Sequence, residues 1–298
     1  MALLVRWLLI LLAYLPLSWL HSIGTIIGRL TYYASPRFAA RINTNIKLYL
    51  NTENSQAYHN FAQQVARETG KGLIELSIAW CRSPAYMAQL VRYCTGWEHV
   101  ERSIAQNHGI VFVTPHLGSY EIAGGYLCHS LPRPITAMYR PPKLAWLEPV
   151  MNVGRTRGKI KTVPATTAGV RGLIKALKSG EAIIILPDQV PNNREGVWAP
   201  FFGKPAYTMT LAAKLAQLKN VDIMLFVGER LPKNQGYAVH IEPIPYSFTG
   251  DKMNDTTHIN KAMETLIRRY PTQYLWSYNR YKCPAGVTQP PNESSKPH

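Results

Sequence analysis

By residue type and spacing, His116 and Glu121 are the pair in this chain best suited to chemistry. They stand in the run Gly109-Ile-Val-Phe-Val-Thr-Pro-His116-Leu-Gly-Ser-Tyr-Glu121, where an apolar segment ends at a proline and then delivers a histidine, a glycine and a carboxylate. An imidazole that takes a proton from a hydroxyl acts as a general base, and a carboxylate can fix its tautomer and stabilise the imidazolium. If the hydroxyl belongs to the substrate and attacks directly, no serine or cysteine nucleophile is needed. The chemistry suggested is acyl transfer onto an alcohol.

Spacing alone is weak evidence. With 9 His and 17 acidic residues in 298 positions, chance puts an acid five residues after some histidine about half a time. Context adds more. Residues 110–113 read as a short buried strand and 120–129 as the helix that follows. Side chains five apart on one continuous helix are about 140° out of phase. The two residues therefore meet only if His116 lies in the turn and Glu121 near the helix start, and Gly118 permits such a turn. The same residues also suit a structural histidine followed by a first-turn glutamate that the helix dipole favours.

The elements needed to position this pair are those of an α/β sandwich. Apolar strands fit 110–114, 135–139, 182–186, 222–228 and 237–243, and helices fit 120–129, 145–153, 167–179 and 208–218. A long helix precedes them (55–80) and another follows (254–270). The expected architecture is a mixed central sheet flanked by helices, with an N-terminal membrane-anchoring helix over 1–30. The body spans 31–283, and a tail rich in Pro, Ser and Asn over 284–298 is expected to be disordered.

A second polar cluster follows the strand at 182–186: Pro187-Asp188-Gln189, then a loop carrying Trp198, Phe201, Phe202 and Gly203. Polar residues at the end of a buried strand are where α/β sheets place ligands. The aromatic loop reads as a pocket wall or as a self-packed Ω-loop. Arg140 lies at a strand end, and further on Arg155, Arg157, Lys159 and Lys161 put four cations in seven positions. Such cations suit phosphate groups, which arginine grips bidentately, or a solvated face.

Bulk properties narrow the partners. A net charge of +16 points to something anionic: nucleic acid, an acidic membrane surface, a phosphorylated lipid or an acidic carrier protein. No zinc-finger spacing or RNP-type aromatic segment supports nucleic acid. Cys81, Cys94, Cys128 and Cys283 show neither CxxC spacing nor histidines in register, so no metal site is expected. Residues 7–27 are largely apolar, with Trp7, Trp19, Tyr32 and Tyr33 as interfacial aromatics. Arg29, Arg37, Arg41 and Lys47 downstream place the body in the cytoplasm by the positive-inside rule. Pro16 and His21 weaken a span, which leaves a helix lying in the interface as the alternative.

These pieces, taken in order, resemble the lipid A biosynthesis acyltransferases, which add secondary fatty acyl chains to a lipid A precursor. They sit within the wider His-x4-Asp/Glu glycerolipid acyltransferase superfamily. The resemblance is carried by Arg41-Ile-Asn-Thr-Asn45, Thr114-Pro-His-Leu-Gly-Ser-Tyr-Glu121, Tyr139-Arg-Pro-Pro142 and Gly154-Arg-Thr-Arg157. Leu186-Pro-Asp-Gln189 and Gly196-Val-Trp-Ala-Pro-Phe-Phe-Gly203 complete it. It departs at Ser119 and Tyr120, which leaves the His and the acid themselves in place, and at Leu50-Asn-Thr-Glu, which bears on local packing alone.

The resemblance implies transfer of an acyl chain from acyl carrier protein onto a hydroxyl of a phosphorylated glycolipid, at the cytoplasmic face of an inner membrane, with no metal or other cofactor. It implies His116 as general base, Glu121 as its partner, and Arg140, Arg155 and Arg157 positioning phosphate or the oxyanion. Asp188 and Gln189 would line the pocket, with Asn45 near the site. Two alternatives stand beside it: the same fold acting on another glycolipid or lysophospholipid, and a membrane-tethered lipid-binding protein without catalysis.

Overall fold

The computed structural model describes residues 2–50, 55–139, 160–192 and 195–290. Arg140, Arg155 and Arg157 and the helix expected at 145–153 lie outside the described residues.

Two helices open the chain, α1 (Ala2–Ala13) and α2 (Leu17–Ala34). They are separated at Pro16, which lacks an N–H for a continuous helical ladder. The single N-terminal helix expected from sequence is therefore two. No helix among the described residues is long and apolar enough to cross a membrane. Helix α3 (Pro36–Tyr49) starts at a Ser35 cap with Pro36 at its first turn. The long α4 (Ser55–Cys81) follows, then α5 (Pro84–Leu90), capped by Ser83.

The remaining elements alternate in type. They are β1 (Val91–Thr95), α6 (Trp97–Ala105), β2 (Gly109–Val113), α7 (Tyr120–Ser130), β3 (Ile135–Tyr139), β4 (Ile160–Pro164), α8 (Thr167–Lys178) and β5 (Ala182–Ile185). A hairpin of β6 (Gly196–Phe201) and β7 (Lys204–Met209) follows. The chain closes with α9 (Leu211–Ala216), β8 (Val221–Arg230), β9 (Tyr237–Pro243) and α10 (Lys252–Arg269).

Seven strands form one sheet in the order β1-β9-β8-β2-β5-β3-β4. Neighbours are parallel except β8 and β9, which run antiparallel, so the sheet is mixed as expected. β2 lies at the centre and is buried along its whole length, which is why it reads as an unbroken apolar run. Its even positions, Ile110 and Phe112, pack with Leu127, Ile135 and Phe226 on one face; Val111 and Val113 pack with Leu173, Ile183 and Leu225 on the other.

Other elements also depart from expectation. The helix expected over 208–218 spans only Leu211–Ala216, because 208–209 close the strand β7. β1 is an edge strand half open to solvent, without apolar alternation. β4, Ile160-Lys-Thr-Val-Pro164, had looked like part of a basic cluster. The aromatic loop is a hairpin: Phe201 and Phe202 are buried in the core, where Phe202 packs against Tyr49 and Trp276.

Candidate active site

His116 sits in the turn that joins β2 to α7, and Glu121 is the second residue of α7. Gly118 shapes this turn with φ +60°, and a Cβ there would lie 2.1 Å from the Gly228 carbonyl oxygen. Only glycine fits. The turn is fastened on several sides. The Ser119 N–H donates to Gly228 O (2.7 Å), the Gly118 N–H to Gln273 O (3.0 Å), and the Leu275 N–H to His116 O (3.0 Å). Buried Arg230 donates through Nη2 to Gly118 O at 2.8 Å.

The carboxylate on the His116 ring is Asp188, where the spacing had suggested Glu121. Asp188 Oδ1 lies 2.7 Å from His116 Nδ1, and its Oδ2 accepts from the His116 N–H at 2.9 Å. The reason is strand order. β5 is the parallel neighbour of β2, so the residues after both strands emerge side by side at one edge of the sheet. Asp188 is 2% exposed. Burial alone would raise its pKa. The His116 ring charge, the two hydrogen bonds from His116 and nearby Arg280 outweigh burial and hold the carboxyl below its usual value. An ionised Asp188 places the ring proton on Nδ1 and leaves the lone pair on Nε2. The Gln189 side-chain nitrogen is 3.1 Å from Nε2 and donates to that lone pair. The Tyr120 ring meets the imidazole edge to face, with centroids 5.0 Å apart.

His116, Tyr120, Glu121 and Gln189 line one end of a cavity of about 330 Å³. The rest of its wall, Thr162 apart, is apolar and comes from α4, α5, α7, β3, β4, β5 and β8, with Met209 at the end of β7 and Leu211 at the start of α9. The sequence pair thus shares a cavity, with Glu121 on its wall and Asp188 behind the ring.

Asn45 is elsewhere. It is buried on α3, and its amide nitrogen donates to the carbonyls of Trp276 (2.6 Å) and Tyr278 (2.7 Å). It pins the segment that backs the site and does not line the cavity. That segment also supplies residues the sequence did not flag. Tyr278 accepts from the Val190 N–H at 2.9 Å, and Arg280, 2% exposed, donates to Tyr207 O at 2.9 Å. The aromatic wall expected from Trp198, Phe201 and Phe202 is also absent from the cavity lining.

Among the described residues, no group of three or more His, Cys, Asp or Glu side chains could hold a metal ion.

Comparison with known proteins gives a consistent picture. Residues 1–283 match the family model described as bacterial lipid A biosynthesis acyltransferase. The chain is 28% identical over 292 residues to the lipid A biosynthesis palmitoleoyltransferase of Escherichia coli (strain K12), covering 98% of this chain and 91% of that protein. It is 29% identical over 289 residues to the lauroyltransferase of the same organism, covering 95% and 91%. A lipid A biosynthesis acyltransferase of Haemophilus influenzae is 27% identical over 270 residues, covering 88% and 82%. With the family match spanning residues 1–283, the chain belongs to the bacterial lipid A biosynthesis acyltransferases.

Proposed function

We propose that this acyltransferase moves a fatty acyl chain from an acyl carrier protein thioester to a hydroxyl of a lipid A precursor, with His116 as general base. The observation that carries this reading is the His116 ring itself. Its Nδ1 is tied to buried, ionised Asp188, and its Nε2 sits beside Gln189 at the end of an apolar cavity. Nε2 takes the hydroxyl proton as the oxygen attacks the thioester carbonyl. The tetrahedral oxyanion collapses, the carrier thiolate leaves, and the imidazolium returns the proton to it. One ester forms, one thioester breaks, and one thiol is released.

Within this scheme, the acceptor hydroxyl displaces the Gln189 amide from the lone pair. Glu121, on the cavity wall, orients the acceptor. Arg140, Arg155 and Arg157 bind the acceptor phosphates, and the apolar cavity takes the acyl chain.

The membrane is the remaining partner. Trp7 and Leu11 on α1, Tyr14 just after it, and Trp19, Ile26, Leu30 and Tyr33 on α2 are all more than half exposed. On α2 they recur at helical spacing and form one stripe. Tyr32, expected at the interface, instead turns inward and donates to Asn43 Oδ1 at 3.1 Å. Two short helices with an outward aromatic and aliphatic face suit a seat in the plane of the bilayer interface. Exposed Arg29, Arg37, Arg41 and Lys47 favour anionic headgroups on the cytoplasmic side.

The test is mass spectrometry of acyl transfer from carrier-protein thioesters to a tetraacylated lipid A precursor, with wild type, His116→Ala and Asp188→Asn compared. The expected result is a gain of one acyl chain that both variants lose. No gain from any thioester would reject the lipid A assignment and direct the same assay to lysophospholipid acceptors. A gain that survives in His116→Ala would reject the base.

A further inference from the structure

The acyl-transfer reading leaves open what decides which chain fits, and the wall of the cavity contains an unusual contact. Helix α7 presents Gly124 and Gly125 one turn beyond Glu121, about 5 Å along its axis. Two adjacent glycines inside a helix work against helix formation, so the room they leave calls for an explanation. At Gly125 that room is filled by another element: a Cβ there would lie 2.3 Å from Met87 Cε and 2.5 Å from its Sδ. The Met87 thioether therefore lies directly over the Gly125 backbone. At Gly124 a Cβ fits without collision, in ordinary contact with Ile184 Cδ1 at 3.7 Å, and Gly124 lines the cavity.

Met87 reaches the cavity from α5, is 4% exposed, and lines it beside Pro84 and Ala79. Methionine is unbranched and adaptable, so its position is set by what it packs on. The cavity also has a floor. Ile135 and Ile160, paired at the start of β3 and β4, line its wall together. Ile135 pairs with Ala182, three residues back along β5 from Ile185, which also lines the cavity. At about 3.3 Å per residue the cavity runs roughly 10 Å down the sheet.

We infer that Met87, seated on Gly125, is the specificity-determining side chain that sets the length of acyl chain this acyltransferase accepts. The inference rests on the acyl-transfer reading above. Shortening Met87 opens the space between α5 and α7 to a longer chain. A methyl at Gly124 fills open cavity and selects a shorter one. A methyl at Gly125 displaces Met87 into the cavity, also favouring shorter chains, and removing Met87 in the same protein relieves the collision.

The experiment offers full-length protein in detergent an equimolar mixture of carrier-protein thioesters of increasing even chain length, and the acylated product is resolved by mass. Met87→Ala should shift the ratio of longer to shorter product upward by about tenfold, the scale of discrimination one or two methylenes give in an apolar pocket. Gly124→Ala and Gly125→Ala should shift it downward, and Met87→Ala/Gly125→Ala should reverse the Gly125→Ala shift. Gly124→Ala meets no close atom, so it tests the idea even if Met87→Ala fails to fold. Variants that fold and turn over with the wild-type product ratio would overturn the role of Met87 and leave the acyl-transfer reading intact. Wild-type protein that transfers no chain at all overturns both.

Discussion

Asp188→Asn is the most revealing perturbation because the two oxygens of Asp188 do different work on one residue. Oδ1 accepts from the His116 ring and Oδ2 from the His116 backbone N–H. An amide has only one acceptor end. If its oxygen faces Nδ1, its NH2 meets the backbone N–H, donor against donor. If its NH2 faces Nδ1, the ring proton must move to Nε2, where the Gln189 nitrogen already donates. Either orientation costs a buried hydrogen bond, about 1–3 kcal/mol of stability. The second also removes the basic lone pair.

A mis-set tautomer costs about 10⁴-fold in kcat in the comparable arrangement of serine hydrolases, which is about 5.5 kcal/mol of transition-state stabilisation. Part of that is recoverable here, because the acceptor hydroxyl replaces Gln189. We therefore expect kcat to fall by about 10³-fold with KM for both substrates little changed, and Tm to fall by a few degrees. Steady-state acyl transfer followed by mass spectrometry, with thermal unfolding in parallel, measures both. A folded Asp188→Asn protein that keeps a tenth or more of wild-type kcat would refute the assignment of Asp188 to the ring.

The other perturbations reach the turn, the buried ion cluster, the lone pair and the apolar face. Gly118→Ala puts a methyl against Gly228 O at positive φ; it should cost at least about 2 kcal/mol and abolish transfer, and full activity with unchanged Tm would contradict the packing argument. For Glu75, burial opposes ionisation, yet Arg230 (Nε to Oε1 at 2.7 Å) and the His21 hydrogen bond lower its pKa from 4.5 to about 2. Its contribution, of the order of 3 kcal/mol, is therefore present above pH 4.5 and lost as pH falls toward 2. Acid unfolding should move to higher pH and lose steepness in Glu75→Gln, and an unchanged acid limb would exclude this pair as the cause. Gln189→Glu places a carboxylate beside Nε2, favours a proton there, and should shift the acidic limb of the kcat profile to higher pH; a profile that stays put would mean that Gln189 does not face the base during turnover. Trp7→Ala/Trp19→Ala should reduce co-sedimentation with anionic vesicles without lowering Tm, and undiminished binding would place the membrane seat elsewhere.

How much of this was legible in the chain depends on how local each signal is. β2 and α7 are contiguous, so the apolar run, the turn glycine and the helix start together foretold where His116 and Glu121 lie. β3 and β9 read correctly because their apolar runs are bounded by turns, and their observed limits agree with the expected ones. The partner of the His116 ring was not legible. Asp188 lies 72 residues away, and only the adjacency of β2 and β5 in the sheet brings it there. Asp188 stands out in the sequence by its place after a buried strand; its contact with the ring follows only from strand order. Tyr278 and Arg280 have no periodic pattern around them, and Asn45, on the buried face of α3, reads only as a polar residue in a helix stripe; their meaning comes from a C-terminal segment folding back behind the site. The β6–β7 hairpin was missed because Gly203 marks its turn while Pro200 and Pro205 interrupt strand alternation.

The same packing explains how two helices with an outward apolar face can be part of the catalytic body. On its inner side α2 carries Gly24 and Gly28 against Gly70 of α4, and a Cβ at Gly70 would lie 2.0 Å from Gly24 O. The backbones touch, so α2 cannot slide on α4 without opening the contact. His21, on the same side of α2, bonds Glu75 of α4 at 2.8 Å, and Glu75 bonds Arg230 at the end of β8. Arg230 in turn donates to the Gly118 carbonyl in the turn that carries His116. A short chain of buried, charge-assisted hydrogen bonds thus runs from the helix proposed to rest on the membrane to the turn that holds His116. Such bonds are costly to break once desolvated. With α2 resting on a bilayer as proposed, this chain would fix the height and tilt of the site above the lipid, and an acceptor held in that surface would meet His116 at a set depth.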